Sequence, residues 1–163
     1  CKSGQVTLIV EILLLPNETI IKLLSSFIPG ANRSETIFIN GCTVIKDAYN
    51  ANPSSMELAL QSFWERFQGG TVILGSMKEL GNDSSNLHKS IILSTQNKGF
   101  DNIYLIGPEF RMAYDEIKID KSNIILVDSV DELKKSWDWA QMNGKSILLK
   151  GSRSMQLEKL LED

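Results

Sequence analysis

Residues 44–57 decide the fold class, and their sequence is Val44-Ile45-Lys46-Asp47-Ala48-Tyr49-Asn50-Ala51-Asn52-Pro53-Ser54-Ser55-Met56-Glu57. The β-branched pair Val44 and Ile45 favours the end of a buried strand. Ser54 and Glu57 have the spacing of a capping box, and Pro53 precedes them, so we expect a helix to begin near Ser54. A strand, a polar loop and a helix in immediate succession are typical of an α/β sheet, where such loops carry ligand-binding groups.

The rest of the chain continues this alternation. Asn40-Gly41 is a strong turn signal and predicts a hairpin of Thr36–Ile39 with Thr43–Ile45. Further strands are predicted at Val72–Leu74, Ile103–Ile106, Ile124–Val127 and Ser146–Leu149, with a weak extended piece at Ile117–Ile119. Helices are predicted at 4–15, 18–27, 55–68, 83–98, 109–115, 130–142 and 153–162. This order favours a three-layer α/β fold with a mostly parallel sheet, helices on both faces and a hairpin near its start.

The predicted topology brings the ends of separate strands together. Right-handed crossovers place the carboxyl ends of parallel strands at one edge of the sheet. In this chain those ends are Asp47, Gly75, Gly107, Asp128 and Lys150. We therefore expect the loops that follow them to form a common ligand site.

Composition narrows the class of protein. The 163 residues are 42% hydrophobic and 23% charged, which fits one globular domain. A net charge of -3 gives no basic footprint for nucleic acid. Cys1 and Cys42 are too few for a disulfide framework or a zinc site and favour a reducing, cytoplasmic setting. The apolar stretch Val6–Leu15 is interrupted by Glu11 and is too short to span a membrane. Because residue 1 is not Met, we expect the chain to be a fragment of a longer protein.

The loop after the first parallel strand has the chemistry of a nucleotide contact. A carboxylate at Asp47 can accept from ribose hydroxyls, the amides of Asn50 and Asn52 can pair with an adenine edge, and Tyr49 can stack on a base. The alternative is a simple polar connection, since Asp, Asn and Pro are common in loops for local reasons.

Lys150-Gly151-Ser152-Arg153 has the chemistry of an anion site. It follows a predicted strand and opens a predicted helix, whose free N–H groups carry partial positive charge. Lys150 suits a phosphate group, Ser152 adds a hydroxyl, and Arg153 suits a planar carboxylate. A solvated basic turn is the alternative.

Other motifs receive weaker interpretations. Gly75–Gly81 predicts a tight loop with Lys78 and Glu79 between glycines, either exposed or functional. His88, the only histidine, is expected to be a surface or capping residue rather than a catalytic base. The three tryptophans are expected to pack in the core. Gly144-Lys145-Ser146 is not a P-loop, because the required first glycine is replaced by Trp139. We predict no catalytic residue and no metal ligand.

Three stretches resemble, in order and spacing, signature motifs of the Mur ligases. They are Asp47-Ala48-Tyr49-Asn50-Ala51-Asn52-Pro53-Ser54-Ser55-Met56, Gly75-Ser76-Met77-Lys78-Glu79-Leu80-Gly81 with Leu87-His88, and Lys150-Gly151-Ser152-Arg153-Ser154-Met155-Gln156-Leu157-Glu158. Within the family, they resemble the ligases that add D-alanyl-D-alanine to a UDP-muramoyl tripeptide. The departures are Ser76, where the family usually has aspartate, and Asn32, where it usually has glycine.

The resemblance implies a domain division and a reaction. It implies a Rossmann-like Mur ligase C-terminal domain at 34–163, preceded at 1–33 by a linker and the tail of a central ATP-binding domain. The reaction would be ATP-dependent amide formation in peptidoglycan precursor synthesis, in the bacterial cytoplasm. ATP and Mg²⁺ would be held mainly by the central domain, so this chain alone would be inactive.

The resemblance also implies roles for the two polar loops. Asp47, Tyr49, Asn50 and Asn52 would contact the nucleotide, and Lys150, Ser152 and Arg153 would contact the dipeptide and phosphate. The full-length protein would be a monomer, with this domain packed on the central domain and with no nucleic acid or membrane partner.

Two alternatives stay open. A folylpolyglutamate-synthase-like C-terminal domain would need histidine where Ala51 stands. A stand-alone α/β regulatory or ligand-binding domain of receiver shape would need an acidic cluster, for which Asp47 and Asp128 are the available strand-end carboxylates.

Overall fold

A six-stranded sheet runs through residues 34–162, the part of the chain that the computed structural model describes. The strands are β1 (Glu35–Ile39), β2 (Cys42–Asp47), β3 (Thr71–Gly75), β4 (Asn102–Ile106), β5 (Ile124–Val127) and β6 (Ser146–Lys150). Their spatial order is β1-β2-β6-β3-β4-β5; β1 is antiparallel to β2, and all other neighbours are parallel. The predicted mostly parallel sheet is confirmed. The helices predicted at 4–15 and 18–27, and the segment 1–33, lie outside the described residues.

Helices cover both faces of the sheet. They are α1 (Pro53–Phe67), α2 (Ser84–Lys98), α3 (Pro108–Glu116), α4 (Val130–Ser136) and α5 (Trp139–Met142), with 3-10 helices at Gly81–Asp83, Arg153–Met155 and Leu157–Leu161. Side chains of α1, α2 and α3 share one apolar cluster with the sheet. Those of α4, α5 and the last 3-10 helix share a second cluster on the opposite face. This arrangement confirms the three-layer prediction.

The hairpin of β1 and β2 turns at Asn40-Gly41, as predicted. Asn40 has φ 49° and Gly41 has φ 78°. Positive φ at both central residues is the requirement of the type I′ turn, whose twist matches that of the strands it joins.

The predicted start of α1 is wrong by two residues. Asn52, not Ser54, is the N-cap: its side-chain oxygen accepts from Ser55 N at 2.9 Å, and Ser55 Oγ accepts from Asn52 N at 3.0 Å. Pro53 occupies the first turn, where its missing N–H costs no hydrogen bond. The side-chain oxygen of Asn52 is therefore engaged in the cap.

We expect Asn52→Ala to fray the first turn of α1. Loss of an N-cap costs about 1 kcal/mol, so amide exchange in the first turn should accelerate about fivefold. Hydrogen–deuterium exchange on the peptide covering 53–57 measures it. Ser54→Ala is the matched control, and equal acceleration in both variants would contradict the assignment of the cap.

Two segments near the C-terminus were predicted as continuous helices, and both predictions are wrong because each segment is interrupted. The predicted helix 130–142 is interrupted at Trp137, which adopts an extended conformation, and Asp138 caps α5 by accepting from Ala140 N at 2.9 Å. The predicted helix 153–162 is two 3-10 helices separated by Gln156 at φ 50°. In both segments tertiary packing prevails over helical continuity: Trp137 packs on Tyr104, and Leu157 is buried against the sheet.

The predicted packing role of the tryptophans agrees with the structure. Trp64 meets Phe100 edge-on at 5.4 Å between ring centroids, and Trp137 meets Trp139 at 5.6 Å. The extended piece at Ile117–Ile119 joins no strand among the described residues, and its two isoleucines pack against the first cluster instead.

Candidate functional site

A buried ion pair joins the loops after β2 and β6. These strands are neighbours, and their register places Asp47 opposite Lys150. The Lys150 side chain is 2% exposed, and its Nζ lies 3.0 Å from Asp47 Oδ2. The same ammonium group donates to the backbone oxygen of Asn50 at 2.6 Å. Lys150 therefore fixes the course of the loop that carries the predicted nucleotide-binding residues.

A close backbone approach joins the loops after β6 and β3. A Cβ atom at position 151 would lie 2.9 Å from Gly75 Cα, a distance that packed atoms do not tolerate. Glycine at 151 thus lets the two chain segments touch. One residue later, Ser152 is buried and its Oγ accepts from Lys78 N at 3.1 Å.

A third contact joins the first loop to the last. The Arg153 guanidinium carbon lies 5.5 Å from the centroid of the Tyr49 ring, a cation–π distance. Arg153 is exposed, and Tyr49 is 38% exposed. We call the three loops, residues 47–52, 75–81 and 150–155, the shared rim. The predicted convergence of these loops is confirmed.

The predicted site residues occupy different environments within the shared rim. Arg153, Tyr49, Asn50 and Asn52 lie at its exposed surface. Asp47 is half-buried against Lys150, and Lys150 and Ser152 are buried. The roles predicted for them stay predictions, but the surface groups are the ones that a ligand can reach directly.

The loop after β3 is anchored on α3 as well. Ser76 is fully buried; its Oγ donates to Ile106 O at 3.2 Å and accepts from Phe110 N at 3.4 Å. Lys78 Nζ donates to Glu109 Oε1 at 2.5 Å. Burial acts to raise the pKa of Glu109, but hydrogen bonds with Lys78, its own backbone and Ser76 lower this pKa below its ordinary value.

Sequence reasoning missed Glu109. The available signal was its place in the first turn of a helix that follows directly on a strand end, Gly107. Glu79, in contrast, is exposed and has φ 63°, so it shapes the turn of the β3 loop.

His88 is buried, so its expected surface position is wrong. Its Nδ1 lies 2.7 Å from Ser84 O, and its Nε2 accepts from Met77 N at 3.0 Å. A backbone N–H can only donate, which fixes the neutral ring with its proton on Nδ1. The ring meets Phe110 edge-on at 4.7 Å between centroids. Burial lowers the pKa of His88, which favours this neutral form.

A cavity of about 380 Å³ adjoins the shared rim between β2 and α1. Asp47 of the shared rim and Ser55 of α1 line it, and Ile45, Phe63 and Leu148 give it apolar walls. The volume of this cavity is enough to hold part of a small ligand beside the loop 47–52.

Residues 34–162 hold neither a cluster of metal ligands nor a membrane-spanning helix. In this described range, no group of three or more His, Cys, Asp or Glu side chains is placed to hold a metal ion, so we assign no metal ligand there. Within the same range, no helix has the length and apolar character needed to cross a bilayer.

The sequence matches a family model over most of its length. Residues 32–153 match the model described as "Mur ligase, glutamate ligase domain". The chain is 31% identical, over 161 residues, to the UDP-N-acetylmuramoyl-tripeptide–D-alanyl-D-alanine ligase of Rickettsia prowazekii. The alignment covers 96% of this chain and 35% of that protein, so the chain spans about a third of the length of that relative.

Solved structures show the same architecture. MurF from Acinetobacter baumannii superposes with a TM-score of 0.76 at 25% identity, over 91% of this chain and 33% of that one. The MurF ligase of Thermotoga maritima in complex with ADP superposes with a TM-score of 0.68 at 24% identity, over 88% and 35%. A folylpolyglutamate synthase from Thermotoga maritima reaches a TM-score of 0.51 at 16% identity, over 90% and 34%. The last two similarities concern the fold alone.

Proposed function

The chain belongs to the Mur ligase family, whose glutamate ligase domain it contains, and we propose that it is the C-terminal part of an ATP-dependent ligase that joins D-alanyl-D-alanine to UDP-N-acetylmuramoyl-tripeptide. The observation that carries the proposal is the shared rim, where three separated motifs meet with an exposed arginine at its surface. The named ligase of Rickettsia prowazekii supports the choice of substrates.

The reaction sets what the rim must do. ATP transfers its γ-phosphoryl group to the tripeptide carboxylate, ADP leaves, and the dipeptide amine displaces phosphate from the acyl phosphate to form the amide. The attacking amine must be held close to the acyl carbon, and water must be kept away. We propose that Arg153 binds the carboxylate of the dipeptide, because this planar group suits a bidentate contact with a guanidinium group.

The geometry divides the predicted site residues into contacting and positioning groups. We assign ligand contact to Arg153 on the dipeptide side, and to Tyr49 and Asn50 on the nucleotide side, because these side chains are exposed at the rim. The partly exposed Asp47 carboxylate, which lines the cavity, is a further nucleotide contact. Lys150 is assigned a positioning role, since its buried ammonium group is already engaged by Asp47 and the Asn50 carbonyl. Ser152 is likewise buried and engaged by Lys78 N.

The cavity beside Asp47 supports the nucleotide side of the proposal. It combines the Asp47 carboxylate, able to accept from ribose hydroxyls, with the apolar walls that a base prefers. The MurF ligase of Thermotoga maritima, which has this fold, was solved in complex with ADP, and this supports nucleotide binding in the proposal. Because the proposed reaction uses ATP and a UDP-linked substrate, we assign it to the bacterial cytoplasm. We further propose that the full-length protein is a monomer.

The proposal is tested on the full-length protein that contains this chain. Phosphate release should require ATP, UDP-N-acetylmuramoyl-tripeptide and D-alanyl-D-alanine together, and mass spectrometry should find the amide product. A parallel assay with a folate and glutamate tests the folylpolyglutamate synthase alternative. That alternative rests on fold similarity, and position 51 is alanine where that group's motif has histidine. Product from the folate mixture, and none from the peptide mixture, would overturn the proposal.

A further inference from the structure

We propose that His88 is a positioning residue for the dipeptide half of the shared rim, a role that rests on the proposed ligase function. His88 lies on α2, and within residues 34–162 its hydrogen-bond partners are Met77 and Ser84 rather than Ser152 or Arg153. It acts through the loop after β3, which it holds at one end while Ser152 is held at the other. The chemistry required of His88 is that of a neutral hydrogen-bond acceptor, not that of a base.

Contacts at both ring nitrogens and with Phe110 hold the imidazole of His88 in place. It is 0% exposed, its Nδ1–H points to the carbonyl of Ser84 one turn earlier on the same helix, and the Phe110 ring from α3 lies against it. Its Nε2 is therefore presented to Met77 N in one fixed direction. A ring held in this way is a rigid anchor for the loop.

Consecutive amides carry this anchoring to the last loop. Met77 N–H donates to His88 Nε2, and the next amide, Lys78 N–H, donates to Ser152 Oγ. Only the φ and ψ angles of Met77 separate the two donors, and the Met77 side chain is buried at 1% exposure, so rotation about these two angles is restricted by packing. A shift of the loop at Met77 therefore displaces Ser152, and Arg153 follows it directly in the chain.

The charged groups near His88 are Lys78 and Glu109. They form an ion pair across the top of the same loop, which anchors its outer side to α3. Their effects on the imidazole oppose each other: Glu109 raises the pKa of His88 and Lys78 lowers it. Burial is the larger influence and lowers this pKa, so the acceptor form prevails at neutral pH.

The test compares His88→Leu with His88→Gln in the full-length protein. Leucine fills the apolar site without an acceptor, whereas the glutamine side-chain oxygen can still accept from Met77 N. We expect His88→Leu to raise the KM for D-alanyl-D-alanine on the order of tenfold, with the KM for ATP and kcat little changed. His88→Gln should restore most of the loss.

A second readout does not depend on ligase activity. Hydrogen–deuterium exchange of the segments 76–81 and 151–155 should accelerate in His88→Leu, by about tenfold at Met77 and Lys78, because a buried hydrogen bond is lost. Thr95→Val is the matched control: Thr95 is buried on the same helix and bonds to Ile91 O, away from the loop. It should leave both segments and the dipeptide KM unchanged.

The outcomes separate this inference from the proposed function. A wild-type protein that makes no product overturns the proposed function, whatever the exchange data show. An active wild type with unchanged dipeptide KM and unchanged exchange in His88→Leu overturns the role of His88. If His88→Leu does not fold, Ser152→Ala removes the other end of the connection, and unchanged exchange at 76–81 in that variant would equally overturn it.

Discussion

Lys150→Met is expected to damage the shared rim more than any other single substitution in its three loops. Methionine has about the length of lysine and keeps the apolar character of its aliphatic stem. Because the Lys150 side chain is 2% exposed, this substitution should preserve the packing of β6. The Asp47 carboxylate and the Asn50 carbonyl, however, lose their buried cationic partner. Removing one member of a buried ion pair costs about 3–5 kcal/mol, and because Asp47 is 18% exposed we expect about 3 kcal/mol.

Thermal unfolding and steady-state kinetics measure the effect of Lys150→Met. We expect a lower Tm, and a fall in kcat/KM for both ATP and the dipeptide in the full-length protein, because Lys150 joins the loops assigned to the two ligands. Lys145→Met is the matched control, the same substitution next to the opposite end of β6. A variant with wild-type Tm and kinetics would show that the ion pair is dispensable.

Arg153→Ala is expected to affect one ligand only. Arg153 contacts the Tyr49 ring at the rim. Because Arg153 is exposed, we expect its removal to leave the fold intact. A bidentate contact between a guanidinium group and a carboxylate contributes about 1.5–3 kcal/mol, which corresponds to a rise in dipeptide KM of about 10- to 160-fold. The KM for ATP should change little.

Substrate-saturation kinetics with the full-length protein measure this split. Arg111→Ala is the control, because Arg111 is an exposed arginine at the same sheet edge but pairs with Asp128 outside the shared rim. Its dipeptide KM should equal that of the wild type. Identical dipeptide kinetics in Arg153→Ala and wild type would remove Arg153 from the site.

The fold was predictable because its signals are local and repeated. Val72–Leu74 and Ile103–Ile106 are short apolar runs bounded by glycine or polar residues, and the observed strands extend them by one residue at most at either end. The Asn40-Gly41 turn was predictable from the positive φ that both residues tolerate. Convergence of the loops followed from the alternation of strands and helices alone.

The exceptions arise where two local signals compete or tertiary contacts decide. Asn52 and Ser54 are both good N-caps, and Pro53 at the first helical position favoured Asn52. The break at Trp137 depends on packing against Tyr104, which lies on a distant strand. No local pattern contains that contact.

The candidate site was predictable in place but not in detail. Burial of His88 had a signal in the sequence, because His88, Ile91, Ile92 and Thr95 share one helical face and all are buried. Burial of Lys150 did not, since it follows from the position of β6 between β2 and β3. A lysine at the end of a central strand is surrounded by neighbouring strands, so it supports the site from within.

Ligand-dependent hydrogen exchange in the full-length protein tests the central claim most directly. A non-hydrolysable ATP analogue should slow exchange in residues 47–52, and D-alanyl-D-alanine added next should slow exchange in 151–155 and 76–81. Slower exchange in all three segments is the result that a shared rim predicts. Unchanged exchange in all three, with both ligands bound, would show that the ligands are held elsewhere.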